Sequence, residues 1–303
     1  MLHRPQILRT PEEIAAIEPL WNQLHHSDPH ATVFQSFAWN LALATHLSDR
    51  EQPYVIVTED TIIPAALTPD AVTFLGENLA DYRACLTSAP ESDGFNLAWK
   101  ALAALDRPLR FTALRPEHHS VFDRFSTTDF TGAPYAHAPA QEFASKHNRM
   151  FSRLRKLERL GFHVTTRDPR DRQFLSWMYE RKAAADSGGL FHDPARVQCL
   201  LDIYAATPDF TELTTIEREG HVIAAAIALR DRQTLRFYTN WFDPEWSHYS
   251  PGMVLLYEIS RRALALGLTC DYLTGDQPYK MRMATGVSHL RRLDATLDEL
   301  RAL

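Results

Sequence analysis

Between Tyr249 and Arg282 the chain reads YSPGMVLLYEISRRALALGLTCDYLTGDQPYKMR, the richest run of chemically able residues in the sequence. Ser250-Pro251-Gly252 has the make-up of a helix start: a hydroxyl for the cap, a proline whose missing N–H costs nothing there, and a glycine with no side chain in a ligand's way. The first amides of such a helix are unpaired and lie at the positive end of its dipole, which suits an anion. An ordinary capped core helix has the same letters. The loop Thr274-Gly275-Asp276-Gln277-Pro278 and the cluster Tyr279-Lys280-Met281-Arg282 favour a site. They bring a carboxylate, a phenol and an ammonium to the end of a short strand, where α/β sites tend to lie.

A second concentration of charge runs from Lys146 to Gly161. It holds six Lys and Arg residues against the single acid Glu158, in a chain whose net charge is −6. Phe151, Leu154, Leu157 and Leu160 make the expected buried stripe of this helix, and Gly161 closes it. The basic side is a solvated face, or else Arg149, Arg153 and Lys156 meet an anionic substrate such as a phosphate.

Elements able to position these groups are legible on both sides. In the first half, Thr10-Pro11-Glu12-Glu13 starts a helix and Phe34–Leu47 reads as another. Pro53–Thr58 and Thr61–Leu67 form a hairpin, followed by a strand over Val72–Leu75, a helix over Ser92–Leu105, a strand over Leu109–Leu114 and a helix over Glu117–Phe125. Thr127–Pro139, rich in Thr, Pro, Gly and Ala, reads as the boundary between domains 1–135 and 136–303. After it come a strand at Phe162–Arg167 and helices over Arg172–Ala185 and Ala195–Ala206. Strands at Glu212–Arg218, His221–Leu229 and Leu235–Trp241 follow. The run Val222–Leu229 is apolar on both faces, as in a central strand covered by helices. The Ser250 helix, a strand at Leu268–Leu273, a last strand at His289–Ala295 and a short terminal helix complete the chain.

With 303 residues, 45% hydrophobic and 23% charged, two soluble domains are expected. The acidic balance excludes a general DNA binder. Cys85, Cys199 and Cys270 are too scattered for a disulfide framework or a CxxC metal pair, which suits a reducing compartment. His25, His26 and His30 lack partners at ligand spacing, so no metal is expected. No signal-peptide h-region and no membrane-length apolar run occur, and the expected location is the cytoplasm. GxGxxG and GxxxxGK[ST] are both missing, which excludes the common nucleotide-binding enzymes.

The order Tyr238…Asp243-Pro244…Tyr249-Ser250-Pro251-Gly252…Gly267…Asp271…Gly275…Tyr279-Lys280 resembles the GNAT-type acyltransferases of the CelD/BcsL group. That group lies within the FemAB-like set linked to bacterial polysaccharide and cell-wall synthesis. The likeness is dense over 140–285. It is fainter earlier, where Phe34-Gln35-Ser36…Trp39 and Gly76…Asp81-Tyr82 look like further landmarks. The resemblance implies an α/β (α+β) fold of tandem GNAT-like domains, with mixed, mostly antiparallel sheets flanked by helices. It implies acyl-CoA, above all acetyl-CoA, as co-substrate rather than a tightly bound cofactor. A sugar, nucleotide-linked or lipid-linked sugar would be the acceptor, in association with envelope polysaccharide-synthesis machinery. Donor contacts are implied for Tyr238, Tyr249, Ser250, Gly252 and Met253, and acceptor contacts for Arg149, Arg153, Asp81, Tyr82, Phe191, His192 and Arg282. The usual glycine-rich phosphate loop is replaced by Ser-Pro-Gly, which leaves room for aminoacyl-tRNA, the FemAB donor, or a longer acyl thioester.

Acyl transfer needs a proton acceptor, a group that steadies the tetrahedral oxyanion and an acid for the leaving group. Asp271 or Asp276 would accept the proton, and Tyr279 or Tyr249 would protonate the leaving group. Lys280, with Arg282 behind it, would hold a phosphate or the oxyanion. No serine or cysteine stands in a nucleophile setting, so transfer is expected to be direct. A non-catalytic GNAT-like scaffold in a polysaccharide-synthesis assembly is the competing reading.

Overall fold

The computed structural model describes residues 4–76, 78–118, 122, 125–186, 188–296 and 298–299. The elements run β1 (Gln6–Leu8), α1 (Pro11–Ala15), α2 (Glu18–Ser27), α3 (Phe37–Leu47), β2 (Gln52–Val57), β3 (Thr61–Leu67), β4 (Val72–Phe74), β5 (Leu86–Thr87), α4 (Asp93–Ala103) and β6 (Leu109–Leu114). Then come β7 (Thr127–Ala136), α5 (Ala140–Lys146), α6 (Asn148–Arg159), β8 (His163–Arg167), α7 (Arg172–Ala185) and α8 (Pro194–Ala206). The rest is β9 (Thr211–Arg218), β10 (His221–Asp231), β11 (Thr234–Phe242), α9 (Pro251–Ala265), β12 (Thr269–Asp271), α10 (Pro278–Met283) and β13 (Gly286–Ala295).

Two compact units result: Met1–Thr131 with Gln198–Ile203 and His289–Leu303, and Gly132–Val197 with Tyr204–Ser288. Linear bounds of 1–135 and 136–303 do not express the two later segments that cluster with the first unit. Each unit has the mixed, mostly antiparallel sheet flanked by helices that the sequence implies. In the first, the order is β1-β2-β3-β4-β6-β13, with β5 on β3 and one parallel contact between β4 and β6. Its core is aromatic: Phe74 stacks on Phe111 at 4.1 Å, and Trp99 meets Phe95, Phe111 and Phe122 edge-on. The expected helix over Phe34–Leu47 is split. Val33–Gln35 forms a 3₁₀ turn, and Ser36 accepts from the Trp39 N–H at 3.3 Å to cap α3 one residue later. The expected helix over Glu117–Phe125 falls largely outside the described residues; those described include a 3₁₀ turn at Pro116–His118 and a helical Phe122. Ser187 and most of the terminal helix also lie outside them.

In the second unit the order is β7-β12-β11-β10-β9-β8. β10 is central, and its Ala224–Leu229 run is fully buried. Four of those six residues are alanines, which lets α9 lie close on the strand. The expected linker at Thr127–Pro139 is instead the ten-residue strand β7. Its Pro134 donates nothing to the ladder, yet its carbonyl still accepts from the Tyr272 N–H at 2.9 Å. Proline and glycine suggested a loop; threonine and tyrosine around them carried the strand.

The single basic helix expected from Lys146 is two helices that change direction at His147 (φ −107°, ψ 28°). Phe143, Leu154 and Leu157 pack in one core with Tyr257 and Ile259 of α9. Phe151 and Leu160, assigned to the buried stripe, are 46% and 40% exposed, so the apolar face is narrower than its letters suggest. Leu157 is the anchor that seats the basic helix. Leu157→Ala should cost about 2–5 kcal/mol of stability, read as a lower denaturant midpoint at unchanged slope.

Two irregularities shape the sheet beside α9. The β10–β11 register shifts between Ile227, opposite Thr239, and Ala228, opposite Phe237, so Tyr238 is the extra residue of a bulge. The parallel pairing of β11 with β12 covers only Thr234–Arg236 against Thr269–Asp271. Beyond that pin β11 runs on to Phe242 paired with β10 but not with β12, and the sheet parts at the start of α9.

Candidate active site

Ser250 breaks the expectation placed on it. Its backbone is left-handed (φ 53°), and its hydroxyl makes no cap bond to α9. The hydroxyl accepts instead from Arg153 Nη1 at 2.6 Å. A non-glycine residue in that conformation is a local strain of the kind held at functional positions. With the side chain turned away, the first-turn amides of Gly252 and Met253 have no side-chain cap. Gly252 lies tight on the end of β11, where an added Cβ would be 3.2 Å from Phe242 Cδ1 and 3.4 Å from Asn240 Nδ2.

Cavities open on either side of this helix start. One of about 530 Å³ lies among Asn240, Trp241 and Phe242 of β11, Met253 of α9, Tyr279 and Lys182 of α7, and its lining is mainly apolar. A second of about 470 Å³ is walled by Lys146, His147, Arg149, Arg153 and Arg282. Ser250 and Met253 line both. A third, of about 390 Å³, continues the basic wall through Arg149, Arg153 and Lys156 to His248 and Tyr249, whose rings are 4.1 Å apart. Burial and the neighbouring Arg149 charge push Arg153 below its ordinary pKa. Burial, with help from Lys146, likewise lowers His147. In both, burial comes first and neighbouring positive charge second, and a bound anion would offset both costs.

The sequence-expected residues divide sharply. Ser250, Gly252, Met253, Tyr279, Tyr249, Arg149, Arg153 and Arg282 gather around these cavities. Asp271 does not. Its carboxylate is held in a buried ion pair with Arg236 Nη1 and accepts from the Leu273 N–H at 2.8 Å, so it is committed to the β11–β12 pin. Lys280 turns inward and donates to the Thr274 carbonyl at 2.5 Å, closing the loop it was expected to serve from. Asp276 is exposed and lines none of the three cavities. Tyr238, at the bulge, lines none of them either.

His192 lines none of the three cavities: its Nε2 lies 2.7 Å from the Asp186 carbonyl, and Asp193 beside it pairs with Arg196 at 3.4 Å. Phe191 lies against Tyr179 in a tilted pair with ring centres 4.8 Å apart, and under the Lys182 amine at 5.5 Å. Asp81 and Tyr82 belong to the first unit, where the Tyr82 ring is buried against Phe34 and under Arg115. Burial makes Tyr82 a core residue there. Cys199 and Cys270 are pushed up to about 12 by burial, so neither supplies a thiolate. Among the described residues no cluster of His, Cys, Asp or Glu is arranged to hold a metal ion.

Two residues were missed. Lys182 stands in a helix that reads as ordinary, and no local pattern marks it. Arg236 lies two residues before Tyr238, and its charge inside an otherwise buried strand was the available signal. Its guanidinium bridges Asp231 (2.8 and 2.9 Å) and Asp271.

Residues 144–281 match the acetyltransferase (GNAT) domain. The second unit carries a GNAT-type domain. No curated protein matches the sequence. A solved protein of unknown function from Bacteroides thetaiotaomicron VPI-5482 is similar, at 10% identity and TM-score 0.66, over 96% of this chain and 99% of that one. FemX is similar at 10% identity and TM-score 0.64, over 99% of both chains. So is the C-terminal domain of a putative lysylphosphatidylglycerol synthetase from Agrobacterium fabrum, at 10% identity and TM-score 0.63 over 95% of each. At such identities the likeness is one of fold. In the GNAT-type domain of this chain, the end of β11 and the uncapped start of α9 frame the apolar cavity. No helix among the described residues is long and apolar enough to cross a membrane.

Proposed function

We propose that the GNAT-type domain transfers an acyl group from acyl-CoA, with acetyl-CoA the first choice, to an amine or hydroxyl of a sugar or amino sugar in bacterial envelope polysaccharide synthesis, as in the CelD/BcsL group. One observation carries the chemistry. A basic cavity and a mainly apolar cavity meet at Ser250 and Met253, as a ligand with a phosphorylated carrier at one end and an acyl group at the other requires. The α9 amides and the Arg149–Arg153 wall take the phosphates. The apolar cavity takes the reacting acyl group away from bulk water, with the Tyr279 phenol as candidate acid for the leaving thiolate. The acceptor class and the envelope role rest on the sequence resemblance.

The decisive experiment is a thermal-shift titration with acetyl-CoA, longer acyl-CoAs and free CoA. A ligand that binds only the folded protein raises the midpoint by mass action. Acyl-CoA should raise it, and Gly252→Trp should abolish the rise, because the indole would fill the space between α9 and Phe242. No shift with any thioester or charged RNA would leave the scaffold reading in its place.

A second donor, aminoacyl-tRNA, is favoured by the length of the basic face. Arg149, Arg153 and Lys156 extend for about 10 Å along α6 at 1.5 Å per residue, more than one phosphate contact needs. Charged RNA would bind with a salt dependence of about −0.7 in log K against log salt per neutralised phosphate, and acyl-CoA with a shallower one.

A further inference from the structure

The expected cation, Lys280, is spent on the Thr274 carbonyl, yet the apolar cavity holds another. Lys182 reaches it from α7 and donates to the backbone carbonyl of Asn240 at 2.9 Å. Asn240 lies near the end of β11, beyond the bulge at Tyr238 and next to Gly252 of α9. The amine sits over the Phe191 ring, 5.5 Å from its centre. An ammonium has three donors, and one is used on Asn240. Among the described residues the other two have no recorded partner, while Lys182 lines the cavity. Burial lowers its pKa from the ordinary 10.5, opposed by Asp186 one turn on. A lysine kept in such a setting is out of place as a solubilising group, and its anchored, partly dehydrated donors are preorganised for a developing negative charge.

Resting on the proposed acyltransferase reading, we propose that Lys182 is the oxyanion-binding catalytic residue: its free N–H groups take the carbonyl oxygen of the acyl group being transferred. The acceptor's lone pair forms the new C–N or C–O bond, and the carbonyl π pair moves onto the oxygen held by Lys182. Collapse re-forms the C=O and breaks the bond to the carrier sulfur, which leaves with its electron pair. The proton lost by the acceptor balances the one gained by the thiolate, and Lys182 stays an ammonium throughout. Asn240 fixes the amine through its backbone carbonyl, so the β11 end serves as the positioning element.

The test follows thiol release from acetyl-CoA with glucosamine as surrogate acceptor, beside acetyl-CoA binding by thermal shift. Lys182→Met should lower kcat by about 10²–10³-fold, the usual loss for one oxyanion donor, with acetyl-CoA binding and the unliganded melting midpoint little changed. Wild-type activity should fall on the alkaline side at a pH below the ordinary lysine range, as the ammonium is lost. Lys182→Arg should keep part of the activity and lose that alkaline limb, which a merely structural lysine would not do. Lys182→Gln, which keeps a donor for Asn240, replaces the Met variant if the latter unfolds. Unchanged kcat in a folded Met or Gln variant, or activity that rises as Lys182 deprotonates, overturns the assignment and leaves the acyltransferase reading intact. If only an alanylated RNA hairpin binds, the same variants are measured with it. A wild-type protein that binds and turns over neither donor removes the acyltransferase reading, and this assignment with it.

Discussion

Arg236→Ala should destabilise the second unit by about 3–5 kcal/mol, the usual cost of removing one partner from a buried charge cluster. The guanidinium is 4% exposed and neutralises two carboxylates, Asp231 and Asp271, that are themselves 12% and 10% exposed. Without it both carboxylates lose the guanidinium that bridges them. Urea unfolding followed by tryptophan fluorescence would show the loss as a reduced midpoint. Asp271→Asn should cost less, because the Asp231–Arg236 pair survives and the Leu273 N–H keeps an oxygen to donate to. The comparison also bears on mechanism. Were Asp271 the general base, Asp271→Asn would abolish turnover at little cost in stability; as a pin of β11 to β12, it should lower stability and leave turnover per folded molecule largely intact.

The second large effect belongs to binding. Arg153→Ala should weaken the phosphate-bearing donor by about 10–150-fold, from the loss of one charge-assisted contact of about 1.5–3 kcal/mol. Arg153 is placed for this by its bond to Ser250, which aims the guanidinium at the α9 start. Arg149→Ala should act in the same direction, and the double variant should fall short of the sum, since removing either arginine already relieves the other's crowding. Isothermal titration with CoA at two salt concentrations would measure this. Equal affinity in wild type and both single variants would place the donor phosphates elsewhere.

These expectations follow from a site that was only partly legible. The basic helix, the Ser-Pro-Gly start and Tyr279 could be read because their signals are local: a charge run, a proline and glycine beside an apolar periodicity, an aromatic after a turn. The apolar run Val222–Leu229 announced a central strand by lacking a polar face. Asp271 and Lys280 looked catalytic by the same local standard. Their side chains were claimed by Arg236, 35 positions away, and by the carbonyl of their own loop. Phe151 shows the same limit, since a stripe on a helical wheel does not say how wide the facing core is.

The sequence by itself determined the strands and helices from Phe162 to Leu273, the helix start at Pro251 and Gly252, and the excess of positive charge before it. All of these depend on interactions within a few residues. Tertiary structure alone decided which charges are free to meet a ligand. It folded Thr127–Ala136 into a strand, opened β11 from β12, turned Ser250 towards Arg153, and set Lys182 of one helix against the Asn240 carbonyl 58 residues later. Burial and pairing are properties of atoms brought together across the chain, and spacing along it carries no record of them.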